Sequence, residues 1–504
     1  MKKLLNMFIF FVFSFSLSAQ SFDDYRKAAV DGFNAYKEKT IKDFEAYRAK
    51  VNADFAEYMR KAWEWKEGRP AVPKPEDKEP DIPPVVLPEI DIPDIPDDNE
   101  IPYVDIVPIV IDDVPIPIIP IKPVPKQDES KYTVIYYGTE CTVRFDPKKK
   151  FKMSEASEDA AADMWNKMSG DDYTNLLSDC LQTKEKMALC DWAYYTFLDG
   201  VCLKIYGQSN EAVMLKAFLL SQSGYKVRLA RSESGVMRLL ISLTDDLYDY
   251  GYFELDGTHY YVTEKDTEPN LYIFNQEFPN EKSLRMNISS AAKFAEKQSE
   301  SRTLRSRRFP DISVSSSFNE NLIGFYSDYP MSYKRNQDFS QWVFYANTPI
   351  SEKVKSEIYP KLETSIRGKS QAEAANILIN FVQTAFEYKT DGENWGYERS
   401  FFPEETLYYP YSDCEDRAIL YSRLVRDLMG LKVVLLYYPG HLASAVAFTE
   451  PVTGDYLNVS GTKYLVCDPT YINANIGMTM PGMDNSKAVV VMLEQENQVT
   501  SSSE

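Results

Sequence analysis

The chain has 504 residues, 44% of them hydrophobic, which is enough for several cores and about three domains. Its formal net charge of −20 and a pI near 4.8 exclude nucleic acid and anionic membrane surface as main partners. The balance suits a protein that handles other proteins or peptides.

The chain opens "MKKLLNMFIFFVFSFSLSAQS". Lys2 and Lys3 precede a short apolar run that ends in Ser18 and Ala19. This predicts a signal peptide over 1–19, cut after Ala19, and a periplasmic or extracellular protein. A membrane anchor is the weaker reading, since the run is short and no charged stop follows it. The first cysteine is Cys141, so no lipid-modified cysteine follows the cut. No other stretch approaches the roughly 20 apolar residues that span a bilayer.

Residues 20–68 carry a repeat. Phe22, Phe33, Phe44 and Phe55 recur every 11 residues, and Tyr25, Tyr36, Tyr47 and Tyr58 follow three residues behind. Eleven residues fill about three helical turns, so the spacing predicts one amphipathic helix over 22–65, about 66 Å long. Its aromatic stripe needs cover, which self-association, a partner protein or the chain's own domains can supply. Residues 69–127 hold a proline-rich stretch, "VPKPEDKEPDIPPVVLPEIDIPDIPDDNEIP" among it, and predict an extended spacer. Proline lacks the amide donor that a helix or central strand needs.

Globular patterns begin after this linker, and the fold class they predict is α+β. In 128–275, "YTVIYY", "YKVRLARS", "RLLISL", "YGYFEL" and "HYYVTE" read as strands, and "SNEAVMLKAFLLSQSG" as a helix. Residues 276–360 read as a β-rich segment, from "DISVSSSF" and "QWVFYANT". In 361–504, helices "QAEAANILINFVQTAFEYKT" and "CEDRAILYSRLVRDLMG" precede strands "LKVVLLYY", "LASAVAFT" and "KYLVCD". This last block looks like a copy of 128–275. "GYKVRLAR" matches "GLKVVLLY" 206 residues later, and "GTHYYVTE" matches "GTKYLVCD" 204 residues later.

The last block also carries the candidate chemistry. Cys414 opens a helix, His441 follows it by 27 residues at a strand start, and Asp468 follows by another 27 at a strand end. A thiolate is the nucleophile of cysteine chemistry. A helix N-terminus and a neighbouring imidazolium both stabilise it. Asp468 would orient the imidazole, and the Cys414 amide would supply one oxyanion donor. Asp413 or Ser412 is expected to cap the helix, with Glu415 and Asp416 complementing its positive end. Trp395, Tyr408, Tyr409 and Tyr411 are candidates to line an acyl-binding groove. The six cysteines have irregular spacing, and their pairing stays open. No CxxC, His–Cys cluster or EF-hand loop occurs, so neither a metal nor a cofactor is expected.

The run "DCEDRAILYSRLVRDLMG…PGHLASAVAF…YLVCDPTY" resembles the transglutaminase-like superfamily, as in exported bacterial members, which share a papain-like Cys-His-Asp core. The resemblance covers roughly residues 365–480. It implies Cys414 as nucleophile, His441 as general base and acid, and Asp468 as orienter. The substrate implied is a protein or peptide carbonyl, passed to water or to an amine, with a lean towards water. Leu442 and Ala443 stand where many members carry Ala-Trp, so the pocket differs there. Placed on the earlier block, the pattern meets Gln208, the stretch Gly235 to Met237, and Glu264. That block therefore reads as a degenerate transglutaminase-like domain, with His259 aligned to Lys463 as a strand-surface residue. A non-catalytic surface or periplasmic assembly protein built on the same scaffold is the alternative.

Overall fold

The structure, a computed structural model, describes residues 22–75, 83–89, 93–116, 128–264 and 268–494. The side chains of 22–38 and of Asp171 fall outside that description, as do the expected leader and parts of the proline-rich stretch. The fold is mixed α+β. Helix α1 (Phe22–Met59) leads into two sheets, each preceded by a helix. In the first unit α2 (Asn210–Gln222) precedes β1 (Val227–Arg231), β2 (Met237–Ser242), β3 (Tyr252–Leu255), β4 (Thr258–Tyr261) and β5 (Asn270–Phe274). In the second unit α3 (Gln371–Ala385) and α4 (Cys414–Met429) precede β6 (Lys432–Tyr438), β7 (His441–Ala447), β8 (Asp455–Val459), β9 (Thr462–Cys467) and β10 (Val489–Met492).

The two sheets share one antiparallel topology, β5-β1-β2-β4-β3 and β10-β6-β7-β9-β8. Their registers agree residue by residue. Val227 faces Ile241 in the first sheet, and Val433 faces Val446 in the second, shifts of 206 and 205 residues. Ile241 also faces Tyr261, as Val446 faces Leu465, a shift of 204 for the fourth strand. Leu255 opposite Thr258 maps onto Val459 opposite Thr462 at that same shift. The hydrogen-bond ladders thus reproduce the two shifts read from the sequence. A one-residue slip would turn every side chain to the other face, so the agreement is restrictive.

Residues 69–116 are not a free spacer where the structure describes them. Asn99–Glu100 pairs with β8 at one edge of the second sheet, and Asp105–Val107 pairs with β10 at the other. Laid flat, seven strands would separate those edges by about 29 Å. The five steps from Glu100 to Asp105 reach at most about 18 Å. The sheet is therefore curled almost closed, and Ile101 is buried inside it among Val434, Leu436, Tyr464 and Val490. The first sheet closes in the same way: Glu64–Glu67 pairs with β5, and Arg69 bridges to Tyr252 of β3. Edge strands accept prolines because one side of their backbone needs no donor, so a proline-rich chain serves as an edge strap.

Two further expectations change. Helix α1 stops at Met59, because the strand at Glu64 begins to pair. Its last turns dock on the chain's own first unit. Phe55 packs 4.8 Å from Trp165 and 5.3 Å from Phe274 (ring centroids), and buried Asn52 bonds Trp165 and Gln222. Of the tyrosine row, the two members whose side chains are described, Tyr47 and Tyr58, are 48% and 44% exposed. The segment 276–360 is not β-rich. It holds one short hairpin, Arg302–Arg305 with Ser313–Ser316, and helices Glu320–Ser327, Gln341–Asn347 and most of Glu352–Ile366. "QWVFYAN" is helical because burying Trp342, Tyr345 and Ala346 on one side satisfies a helical period as well as a strand propensity would.

The strap makes a measurable prediction. Ile101→Ala is expected to lower unfolding free energy by about 2–4 kcal/mol in denaturant titration. Ile111→Ala, at a side chain 91% exposed, is expected to change it by less than about 0.5 kcal/mol.

Candidate active site

His441 is positioned by a hairpin. Pro439 and Gly440 form the two-residue turn between β6 and β7, so Tyr438 faces His441 across the ladder. Gly440 adopts φ +73°, which a side chain would strain. Asp468 follows β9 directly, and β9 pairs with β7, so both residues reach the same end of the sheet. His441 Nε2 lies 2.8 Å from Asp468 Oδ2. An ionised carboxylate only accepts, so the imidazole donates there. Backbone amides of Thr470 (2.8 Å) and Tyr471 (3.3 Å) donate to the other Asp468 oxygen and hold the carboxylate still. His441 Nδ1 is buried with no hydrogen-bond partner.

Cys414 is the first residue of α4, which packs against β7 and β6. Its thiol donates to Glu415 Oε2 at 3.2 Å and makes no hydrogen bond to the imidazole. The three sequence-predicted residues therefore fall into a bonded His–Asp pair and a thiol engaged elsewhere on the neighbouring helix. All three are nearly buried.

The capping expectation fails. Asp413 is the N-cap residue but makes no side-chain cap bond, and Ser412 Oγ instead accepts from Arg417 Nε at 3.1 Å. Burial pushes the Asp413 carboxyl well above its ordinary range, with Asp416, Glu415, Asp391 and Glu398 adding to the effect. Burial likewise raises Asp416 to about 7, and its Oδ1 accepts the Phe401 amide at 2.7 Å. Glu405, beside Arg399, is raised by burial to about 7. The acids around Cys414 thus carry less negative charge at neutral pH than the sequence implies.

The loop before α4 gathers an aromatic cluster. Trp395 packs against Tyr409 and Tyr411 at 5.6 and 6.4 Å, and Arg399 lies 4.2 Å from the Trp395 ring centre. Tyr408 sits apart, on Phe318 at 5.7 Å. The Trp395 indole N–H is buried without an acceptor. Asp391, Glu398 and Glu415 each bring one oxygen within 4.8 Å of the others, a spacing that a cation can share. No metal ligand was expected there from the sequence.

Gln383 and Arg417 were missed. Gln383 Nε2, on α3, donates to the carbonyls of Asp468, Tyr471 and Ala474, pinning the loop that carries Asp468. Asn376, Asn380, Gln383 and Thr384, a polar row at helical spacing, were the available signal. Arg417 is buried, bonds the Phe386 carbonyl at 3.1 Å, and is lowered by that burial to about 10. One turn past Cys414 it reads as an ordinary surface charge, and nothing in the sequence marks it. His259 is also not a strand-surface residue. It is largely buried, 3.0 Å from Asp246 and stacked 4.1 Å from the Tyr252 ring. The six cysteines are all free thiols. Among the described residues, no helix is long and apolar enough to cross a membrane.

The raised carboxyls predict a pH dependence. A carboxyl held near 7 in the fold and near 4 when unfolded binds more protons folded, so stability falls as pH rises from about 4 to 7. Asp416→Asn keeps the Phe401 acceptor and removes the titration. Between pH 5 and 6.5 its unfolding free energy is expected to fall less steeply than wild type, by roughly 1 kcal/mol per pH unit, in denaturant titrations at stepped pH.

No family model, curated protein or solved structure matches this chain.

Proposed function

We propose that the chain is an exported thiol enzyme of transglutaminase-like type, acting on amide or peptide carbonyls. The observation that carries this is the His441–Asp468 bond at 2.8 Å, buried, with His441 Nδ1 left unpartnered. An imidazole tethered by one nitrogen and open at the other is what an oriented general base requires. The helix started by Cys414 packs on the strand that carries it.

In this reading the Cys414 thiol rotates away from Glu415 and passes its proton to His441 Nδ1. The thiolate attacks the carbonyl carbon, with the Cys414 amide as one donor for the oxyanion. The carbon–nitrogen bond breaks, and the departing amine takes the proton from His441. The resulting thioester is resolved by water, which gives hydrolysis, or by a second amine, which gives acyl transfer. The region 128–275, with the same topology and none of the three residues, is read as a degenerate copy of the same domain.

A second reading, a non-catalytic assembly protein on this scaffold, draws on the thiol's bond to Glu415. Iodoacetamide at pH 7 with peptide mass mapping separates the two. The enzyme reading expects Cys414 to be modified at least tenfold faster than any of the other five cysteines, and faster still in Glu415→Gln. Equal or slower modification of Cys414 in both proteins supports the scaffold.

A further inference from the structure

The first unit has lost the chemistry but kept the place where it would occur. The ladder shifts assign Gln208 opposite Cys414, Val236 opposite His441 and Glu264 opposite Asp468. All three line one cavity of about 670 Å³. That is within the usual size of a ligand site, about 300–1,000 Å³.

The walls say what the cavity can hold. Lys216 and Arg238 bring two positive charges, Asp199 and Glu264 two negative ones. Lys216 is buried, 2.5 Å from Asp199 and 3.4 Å from the centre of the Tyr195 ring, so its charge is fixed in place. The formal sum is zero, which disfavours a polyanion or a polycation. Val213, Met237 and Leu239 provide an apolar wall, while Gln208 and Ser209 bring an amide and a hydroxyl at the start of α2. The side of the hairpin is held by Asn210, which bonds the Gly235 carbonyl at 3.0 Å and the Met237 amide at 2.9 Å. Apolar wall, balanced charges and amide-type partners together match a stretch of polypeptide.

We infer that the first unit binds a short polypeptide segment in this cavity without processing it. The ligand class rests on the proposed function, since it is the matched position in the second unit that is read as receiving a peptide carbonyl. The cavity itself does not rest on it. A substrate engaged at both units is held at a raised effective concentration beside Cys414.

The test uses the full chain carrying Cys414→Ala and acetylated, amidated tetrapeptide pools that cover every residue type, read by saturation-transfer NMR. At least one pool is expected to bind saturably. Val213→Trp, which fills the cavity, and Gln208→Trp, at its exposed rim, are each expected to weaken that binding at least tenfold. The inference is overturned if no pool binds, or if binding survives both substitutions. Iodoacetamide mapping of the same two variants with Cys414 restored keeps the readings apart. Selective Cys414 modification without cavity-dependent binding removes this inference alone. Cavity-dependent binding with an inert Cys414 removes the catalytic reading and leaves the cavity.

Discussion

A five-stranded sheet leaves a row of backbone donors and acceptors along each outer edge, and in this protein the chain between Glu64 and Val107 meets those rows in both sheets. Because one short segment reaches opposite edges, each sheet must curl. Curling gives each sheet a closed interior, filled by Phe253, Tyr260 and Ile273 in the first and by Leu436, Tyr464 and Val490 in the second. The proline-rich chain is therefore part of both units rather than a tether before them. It also touches the candidate site: Leu87 bonds Ile472 and Asn473, on the loop that follows Asp468.

The second unit differs from the first chiefly where the site lies. Between β9 and β10 the shift rises from 204 to 217, a longer loop that begins at Asp468. Tyr471, Ala474, Met478 and Met480 bury that loop against Val85 and Leu87, and Gln383 takes up its carbonyls. Between the first two strands the second unit is one residue shorter. This produces the tight Pro439–Gly440 turn and puts an imidazole where the first unit has Val236. Two local length changes, with different residues at the three matched positions, thus separate a bonded His–Asp pair from a cavity on one topology.

Much of this was legible in the residues because it rests on period and register. The helix at Cys414, the strands around it and the repeated sheet topology follow from apolar spacing and from two matched strings. The His441–Asp468 bond follows from their places at adjacent strand ends. The remainder depends on long-range contacts, which leave no local mark. The edge strap looks like a spacer because proline reads as non-structure until a sheet edge is present to receive it. "QWVFYAN" has strand propensity, and only its packing against Phe402 and Tyr437 decides for a helix. The acids around Cys414 read as a repelling field, whereas burial raises the carboxyls of Asp413 and Asp416 above their ordinary range. The cavity of the first unit lies on positions visible in the sequence, but its volume is a property of packing.

The central claim is that His441 acts on Cys414, although the thiol rests on Glu415. The most direct measurement is the pH profile of Cys414 alkylation in wild type and in His441→Ala. The account predicts a wild-type midpoint well below the roughly 8.5 of a free thiol, moving up in the mutant as the imidazolium is lost. Identical profiles in the two proteins, or a Cys414 unreactive in both, would contradict it.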